Sequence, residues 1–144
     1  MQPQPPTDFD RSRAPTLEPG LCVGLFPGRG RGVVALRGFS RGELVERAPV
    51  IVLAPADRER IQGTLLARYY FEWGDDEASA AIALGYGSLY NHSYDPNLRY
   101  EFFEQHLAID FVALRDIAAG EELGDVSTLR DPEVVESLQK QLAG

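Results

Sequence analysis

The feature that most constrains this chain is how often its apolar runs are interrupted. Leu21 to Phe26 stops at Pro27-Gly28, Val33 to Leu36 stops before Gly38, and Ile82-Ala83-Leu84 stops at Gly85-Tyr86-Gly87. Runs of about four to eight residues between turn signals have the length of strands and are too short for helices. Leu44-Val45-Glu46 and Val50-Ile51-Val52-Leu53 read as two strands separated near Pro49. That proline suits an edge or a bulge, because it cannot donate to a ladder. Tyr69-Tyr70-Phe71-Glu72-Trp73 is aromatic and fits a strand. Leu98 to Phe103 and Leu107 to Leu114 read as a hairpin around Glu104-Gln105-His106. The pattern predicts a mostly β fold of several small sheets.

Two short helices are expected beside the strands. Asp57 is positioned to cap one that runs to about Ala67, with Ile61, Leu65 and Leu66 on one face and Gly63 weakening it. Asp131-Pro132-Glu133 starts the other, with cap, proline and acid in their usual order. Val134, Val135, Leu138 and Leu142 then fall at helical spacing. A length of 144 residues suits one domain. Residues 1–19 hold five of the ten prolines and read as a flexible tail.

Charge is divided unevenly. Residues 1–60 carry nine basic and seven acidic residues, whereas residues 61–144 carry five basic and fifteen acidic ones. An acidic chain is poorly suited to phosphate backbones, since each phosphate contact needs a cation. It is better suited to a basic partner drawn to its second half. Cys22 is the only cysteine, which excludes an internal disulfide and a cysteine-cluster zinc site. A lone thiol suggests a reducing, cytoplasmic setting. No apolar run approaches the roughly 20 residues of a membrane span, and Met1 to Pro6 lacks a secretory pattern. Thirteen arginines against one lysine, with fifteen alanines, suggest a GC-rich, bacterial source.

Three segments concentrate residue types that carry chemistry. Gly28-Arg29-Gly30-Arg31-Gly32 is a loop whose glycines permit a sharp turn and close approach to a ligand. Nucleotide-phosphate loops open a helix, but this one opens the strand Val33-Val34-Ala35-Leu36, and a simple hairpin turn would also explain it. Asn91-His92-Ser93-Tyr94-Asp95-Pro96-Asn97 holds side chains that bond their local backbone. His92 fits a hydrogen-bonded turn residue. A metal site would want further ligands than the second histidine, His106, and no G-x-S-x-G elbow is present. The third segment, Arg115 to Leu123, is on its own a charged turn between strands.

In this order and spacing the three segments resemble the SET domain, a family of lysine methyltransferases. The opening motif is similar to Gly30-Arg31-Gly32-Val33, followed by the turn Phe39-Ser40-Arg41-Gly42-Glu43-Leu44-Val45. The central motif is similar to Asn91 to Asn97, and the closing one to Ala113-Leu114-Arg115-Asp116-Ile117-Ala118-Ala119-Gly120-Glu121-Glu122-Leu123. The resemblance covers about residues 20–123, leaving residues 124–144 as a divergent tail. It implies a compact β-clip with a pseudo-knot and no flanking zinc segments, like short bacterial or viral members. It further implies S-adenosylmethionine as cofactor, held by Arg29, Gly30, Arg31, Gly32, Asn91 and His92. A lysine-bearing basic protein or peptide would enter opposite, past Tyr69, Phe71 and Trp73. The single cysteine, the acidic balance and the lack of a long apolar run set the further expectations of no metal, no nucleic-acid partner and no membrane partner.

The resemblance fails at one position. The family normally supplies a tyrosine four residues beyond the leucine matched by Leu123, and here that residue is Ser127. A serine hydroxyl is shorter than a phenol and has no ring face. Three explanations stay open: an inactive member, a substitute phenol from Tyr86 or Tyr90, or an altered C-terminal tail. If the acidic second half draws in a basic substrate, raising salt weakens substrate binding. Titrations across ionic strength check this, and an unchanged affinity counts against it.

Overall fold

A computed structural model describes residues 19–27 and 30–125. Most of the proline-rich tail, Gly28, Arg29, Ser127 and the expected C-terminal helix lie outside the described residues. The described elements run β1 (Leu21–Phe26), β2 (Gly30–Ala35), β3 (Leu44–Leu53), α1 (Pro55–Arg60), β4 (Tyr70–Trp73) and β5 (Ser79–Ala83). They continue with β6 (Asn91–His92), β7 (Leu98–Phe103), β8 (Ala108–Ala113) and β9 (Glu122–Asp125). One sheet has the order β1-β2-β9-β6, the other β4-β5-β3-β8-β7. The mostly β expectation therefore holds.

The hairpins follow the sequence pattern closely. β1 and β2 pair from Leu21 opposite Ala35 to Phe26 opposite Gly30. β7 and β8 pair from Leu98 opposite Ala113 to Phe103 opposite Ala108, around a 3-10 turn at Glu104–His106. β8 is buried along nearly its whole length, so it is apolar at every position but Asp110, which Arg47 pairs. Phe111, Ile109, Leu98, Leu123, Val33 and Val45 are the large apolar side chains at the centre of the core. Each such burial stabilises by roughly 1.5–3 kcal/mol.

β3 departs from the expected pair of strands. It is one strand of 10 residues. It pairs with β8 from Leu44 to Pro49 and with β5 from Val50 to Leu53. Pro49 thus lies in a central strand and not at an edge. It is tolerated because it falls where one partner gives way to the next, and its carbonyl still accepts from the Leu84 amide at 2.8 Å. A bulge lies between Leu44 and Glu46. It breaks the alternation, so Val45 and Glu46 are both buried, and Glu46 then shares its face with Ala48 and Val50.

The first expected helix is also shorter. α1 begins with Pro55 in its first turn, Ala54 occupies the cap position, and Asp57 lies inside the first turn. The acid there still favours the positive end of the helix. The helix ends at Arg60 because Gly63 takes a φ of 81°, and a separate 3-10 turn follows at Leu65–Arg68. Arg58 fastens α1 to the sheet: it pairs with Glu72 at 3.2 Å, lies 5.0 Å from the Tyr70 ring centroid and donates to the carbonyls of Glu77 and Ser79.

Two contacts distant in sequence close the fold. The Phe39 turn bridges Ile117, and the Arg41 amide donates to Asp116 Oδ1 at 2.9 Å, which joins the opening and closing motifs. β9 is held antiparallel to β2 and parallel to β6. The buried Asn97 fixes it: Nδ2 donates to the Glu122 carbonyl and Oδ1 accepts from the Gly124 amide, both at 2.9 Å. β9 is thus joined to the Asn91–Asn97 segment, the place where the motifs implied a pseudo-knot. Asn97→Ala leaves both backbone groups without these partners and should cost roughly 2–5 kcal/mol, readable by chemical denaturation.

Candidate functional site

A cleft of about 930 Å³ opens where the two sheets meet. Gly30, Arg31, Asn91, His92 and Asp125 contribute to its lining from the first sheet. Tyr70, Phe71, Tyr100 and Phe102 contribute from the second, and Ala67, Arg68 and Tyr69 from the turn before β4. The segment Gly87–Tyr90 joins the two sides.

The glycine loop reaches this cleft because β2 is drawn against Asn91. A Cβ on Gly32 would stand 2.6 Å from Asn91 Nδ2, 2.6 Å from Glu122 Oε2 and 2.8 Å from the Phe26 ring. No side chain fits there without a shift, so the requirement for glycine is steric. Asn91 Nδ2 donates to Glu122 Oε2 at 2.9 Å and to the Arg31 carbonyl at 3.2 Å. One asparagine therefore ties the glycine loop, the central motif and β9 together. His92 is half exposed, with Nδ1 3.3 Å from Oδ1 of the buried Asp125.

The aromatic side is a packed cluster. Phe71 meets Tyr100 edge-on at 5.3 Å and Phe111 at 6.1 Å. Trp73 is buried behind the cleft surface, edge-on to Phe102 at 5.4 Å. Of the three aromatics expected to line a channel, Tyr69 and Phe71 do reach the cleft, while Trp73 supports it from behind. Burial, then the nearby Asp125 and Glu77, push the Tyr100 phenol above its ordinary range.

Tyr86 and Tyr90 take different places. The Tyr86 hydroxyl donates to the Leu21 carbonyl at 3.2 Å, and Tyr86 is not among the cleft-lining residues. Tyr90 lines the cleft, but its hydroxyl donates to Glu46 Oε1 at 2.7 Å. Burial first, and then the Glu46 carboxylate, push the Tyr90 phenol well above 10.0. Its proton is held in the native state.

Gly30, Arg31, Asn91 and His92 are thus brought together, Gly32 stands just behind them, and Arg29 lies outside the described residues. Sequence reasoning missed Tyr100, Phe102 and Asp125. The i, i+2 spacing of Tyr100 and Phe102 puts both rings on one face of β7, and that was the available signal. Asp125 carried none, because only the parallel pairing with β6 brings it beside His92. Among the described residues, no group of three or more His, Cys, Asp or Glu is arranged to hold a metal ion. No helix among them is long and apolar enough to cross a membrane.

Comparison with known proteins agrees with this arrangement. Residues 30–124 match the SET domain family. "Histone-lysine N-methyltransferase, H3 lysine-37 specific" of Schizosaccharomyces pombe is 31% identical over 112 residues, covering 77% of this chain and 75% of that protein. Histone-lysine N-methyltransferase Set8 of Drosophila pseudoobscura pseudoobscura is 37% identical, covering 72% of this chain but 17% of its own length. N-lysine methyltransferase KMT5A of Xenopus tropicalis is 32% identical, covering 74% of this chain and 35% of its own length. These relatives are eukaryotic, whereas composition had suggested a bacterial source. A crystal structure of a Plasmodium falciparum protein assigned as a histone methyltransferase superposes with a TM-score of 0.63 at 25% identity, covering 74% of this chain and 91% of that one.

The raised phenol has a pH consequence. The native state holds the Tyr90 proton more tightly than the unfolded chain does. Its contribution to stability is complete below the unfolded value near 10.0 and is lost as pH rises toward the higher native value. Melting temperatures measured across this alkaline range should fall less steeply with pH for Tyr90→Phe than for the natural chain.

Proposed function

The chain belongs to the SET domain family, and from that premise we propose that it is an S-adenosylmethionine-dependent protein-lysine N-methyltransferase acting on a basic protein segment. One observation carries the reading: a single cleft gathers Gly30, Arg31, Asn91 and His92 together with Tyr69 and Phe71. Its volume of about 930 Å³ falls in the range of small-molecule sites. Gly32, which has no room for a Cβ, lets β2 close on Asn91 and Glu122 and so sets the backbone of Gly30 and Arg31 at the cleft.

Bound S-adenosylmethionine would supply a methyl group on a sulfonium, open to attack by a neutral amine. The chain's own residues would orient the partners. Gly30, Arg31, Asn91 and His92 would hold the cofactor side. Tyr69, Phe71 and Tyr100 would pack along the lysine stem and offer ring faces to its cation before it loses a proton. Most of the rate would come from alignment and from excluding water. The lone Cys22 thiol fits a reducing, cytoplasmic setting.

A second reading is a binding module that keeps the cleft but transfers nothing. It is favoured by the hydroxyls of Tyr86 and Tyr90, which are engaged by Leu21 and Glu46, while Ser127 stands where the family has its phenol. Calorimetry with S-adenosylmethionine, paired with methyl transfer to lysine-bearing basic peptides, separates the readings. Binding with transfer is expected, and Ser127→Tyr should raise transfer by at least about tenfold. Binding without transfer in both proteins would support the silent module. No binding would overturn both readings.

A further inference from the structure

Glu46 is a buried carboxylate that the proposed reaction does not use. It is 2% exposed and lies on β3 beside Ala48 and Val50. An apolar side chain could fill that slot without a charge to desolvate. Both of its oxygens instead serve one segment. Oε2 accepts from the Tyr86 amide at 2.9 Å, and Oε1 accepts from the Tyr90 hydroxyl at 2.7 Å.

These two residues bound the turn that joins the sides of the cleft. Gly87, Ser88, Leu89 and Tyr90 all line it, and Asn91 and His92 follow directly. The turn fits closely on β3 and β5: a Cβ on Gly87 would stand 2.6 Å from the Ala83 Cβ and 3.0 Å from the Ala48 Cβ. Ser88 Oγ donates to the Ala83 carbonyl at 2.7 Å. Glu46 grips this turn at its first and last residues.

We infer that Glu46 is a positioning residue: it seats the Tyr86–Tyr90 turn on β3 and thereby sets where Asn91 and His92 stand at the cleft. The seating itself is independent of the reaction; its effect on cofactor affinity rests on the function proposed above. Glutamine nearly matches glutamate in shape but is uncharged and has one acceptor oxygen. Glu46→Gln can therefore keep the Tyr86 amide bond only by turning its NH2 toward the Tyr90 hydroxyl, and two charge-assisted bonds become weaker neutral ones.

Amide hydrogen exchange reads the turn directly. In Glu46→Gln, exchange should quicken by about tenfold across Tyr86–His92 while β7 and β8 stay protected. Calorimetry should show S-adenosylmethionine binding weakened by about tenfold. Tyr90→Phe keeps the ring packed 4.6 Å from Phe111, removes only the hydroxyl bond, and serves if Glu46→Gln does not fold. It should quicken exchange at the same amides, and the double variant should bind no more weakly than Glu46→Gln alone. Unchanged exchange at Tyr86–His92, or an equal rise in β7 and β8, would overturn the inference. If the natural chain does not bind S-adenosylmethionine, the proposed function fails while the exchange result still decides the role of Glu46.

Discussion

The arrangement of this molecule depends on the side-chain amide of Asn97. β9 is 4 residues long and pairs on both edges, so it would hold poorly by its own ladder alone. Asn97 adds a donor to the Glu122 carbonyl and an acceptor for the Gly124 amide. Its own backbone adds two more bonds, to the Gly124 carbonyl at 3.1 Å and from the Leu114 amide at 2.8 Å. The amide carries its donor and its acceptor on separate atoms, so one short side chain serves a carbonyl and an N–H at once. With β9 fixed, Glu122 is in reach of Asn91, and Asn91 in turn reaches Arg31. Segments 60 residues apart in the chain thereby become neighbours across one cleft.

The strands were legible because alternation and turn chemistry are local. β1, β2, β7 and β8 follow from apolar runs bounded by Gly, Pro, Asn and Asp. The misreadings have local causes that only the fold exposes. Gly63 was counted as a weak point in a helix, yet it takes a left-handed conformation that ends one. Pro49 suggested a break because a proline in a central ladder is unfavourable; the change of partner from β8 to β5 at that residue removes the conflict.

The candidate site was legible in its motifs and not in its walls. Asn91 and His92 are marked by their unusual neighbours in sequence. Tyr100 and Phe102 are marked only as strand residues, and their facing depends on which strands become neighbours. Glu46 is harder still. A glutamate in a strand reads as a solvent-facing residue. Its i, i+2, i+4 spacing with Ala48 and Val50 places it in the core row, but the pairing that makes burial tolerable lies 40 residues away at Tyr86.

The charge asymmetry changes meaning once the chain is folded. Arginines of the first half are spent on acids of the second: Arg47 grips Asp110 through two bonds at 2.7 and 2.9 Å, and Arg58 pairs with Glu72. Within the second half, the Ala118 amide, and after it Arg115 paired at 3.0 Å, hold the Glu121 carboxyl below its ordinary range. Exposed pairs of this kind add little stability, but they do cancel field. Fourteen basic residues cannot offset twenty-two acidic ones, so an excess of acid remains. One concentration is the turn at Asp75, Asp76 and Glu77, and Glu77 borders the cleft itself. A basic segment drawn to this protein would be guided toward the aromatic side of the cleft, where a lysine stem would have rings to lie against.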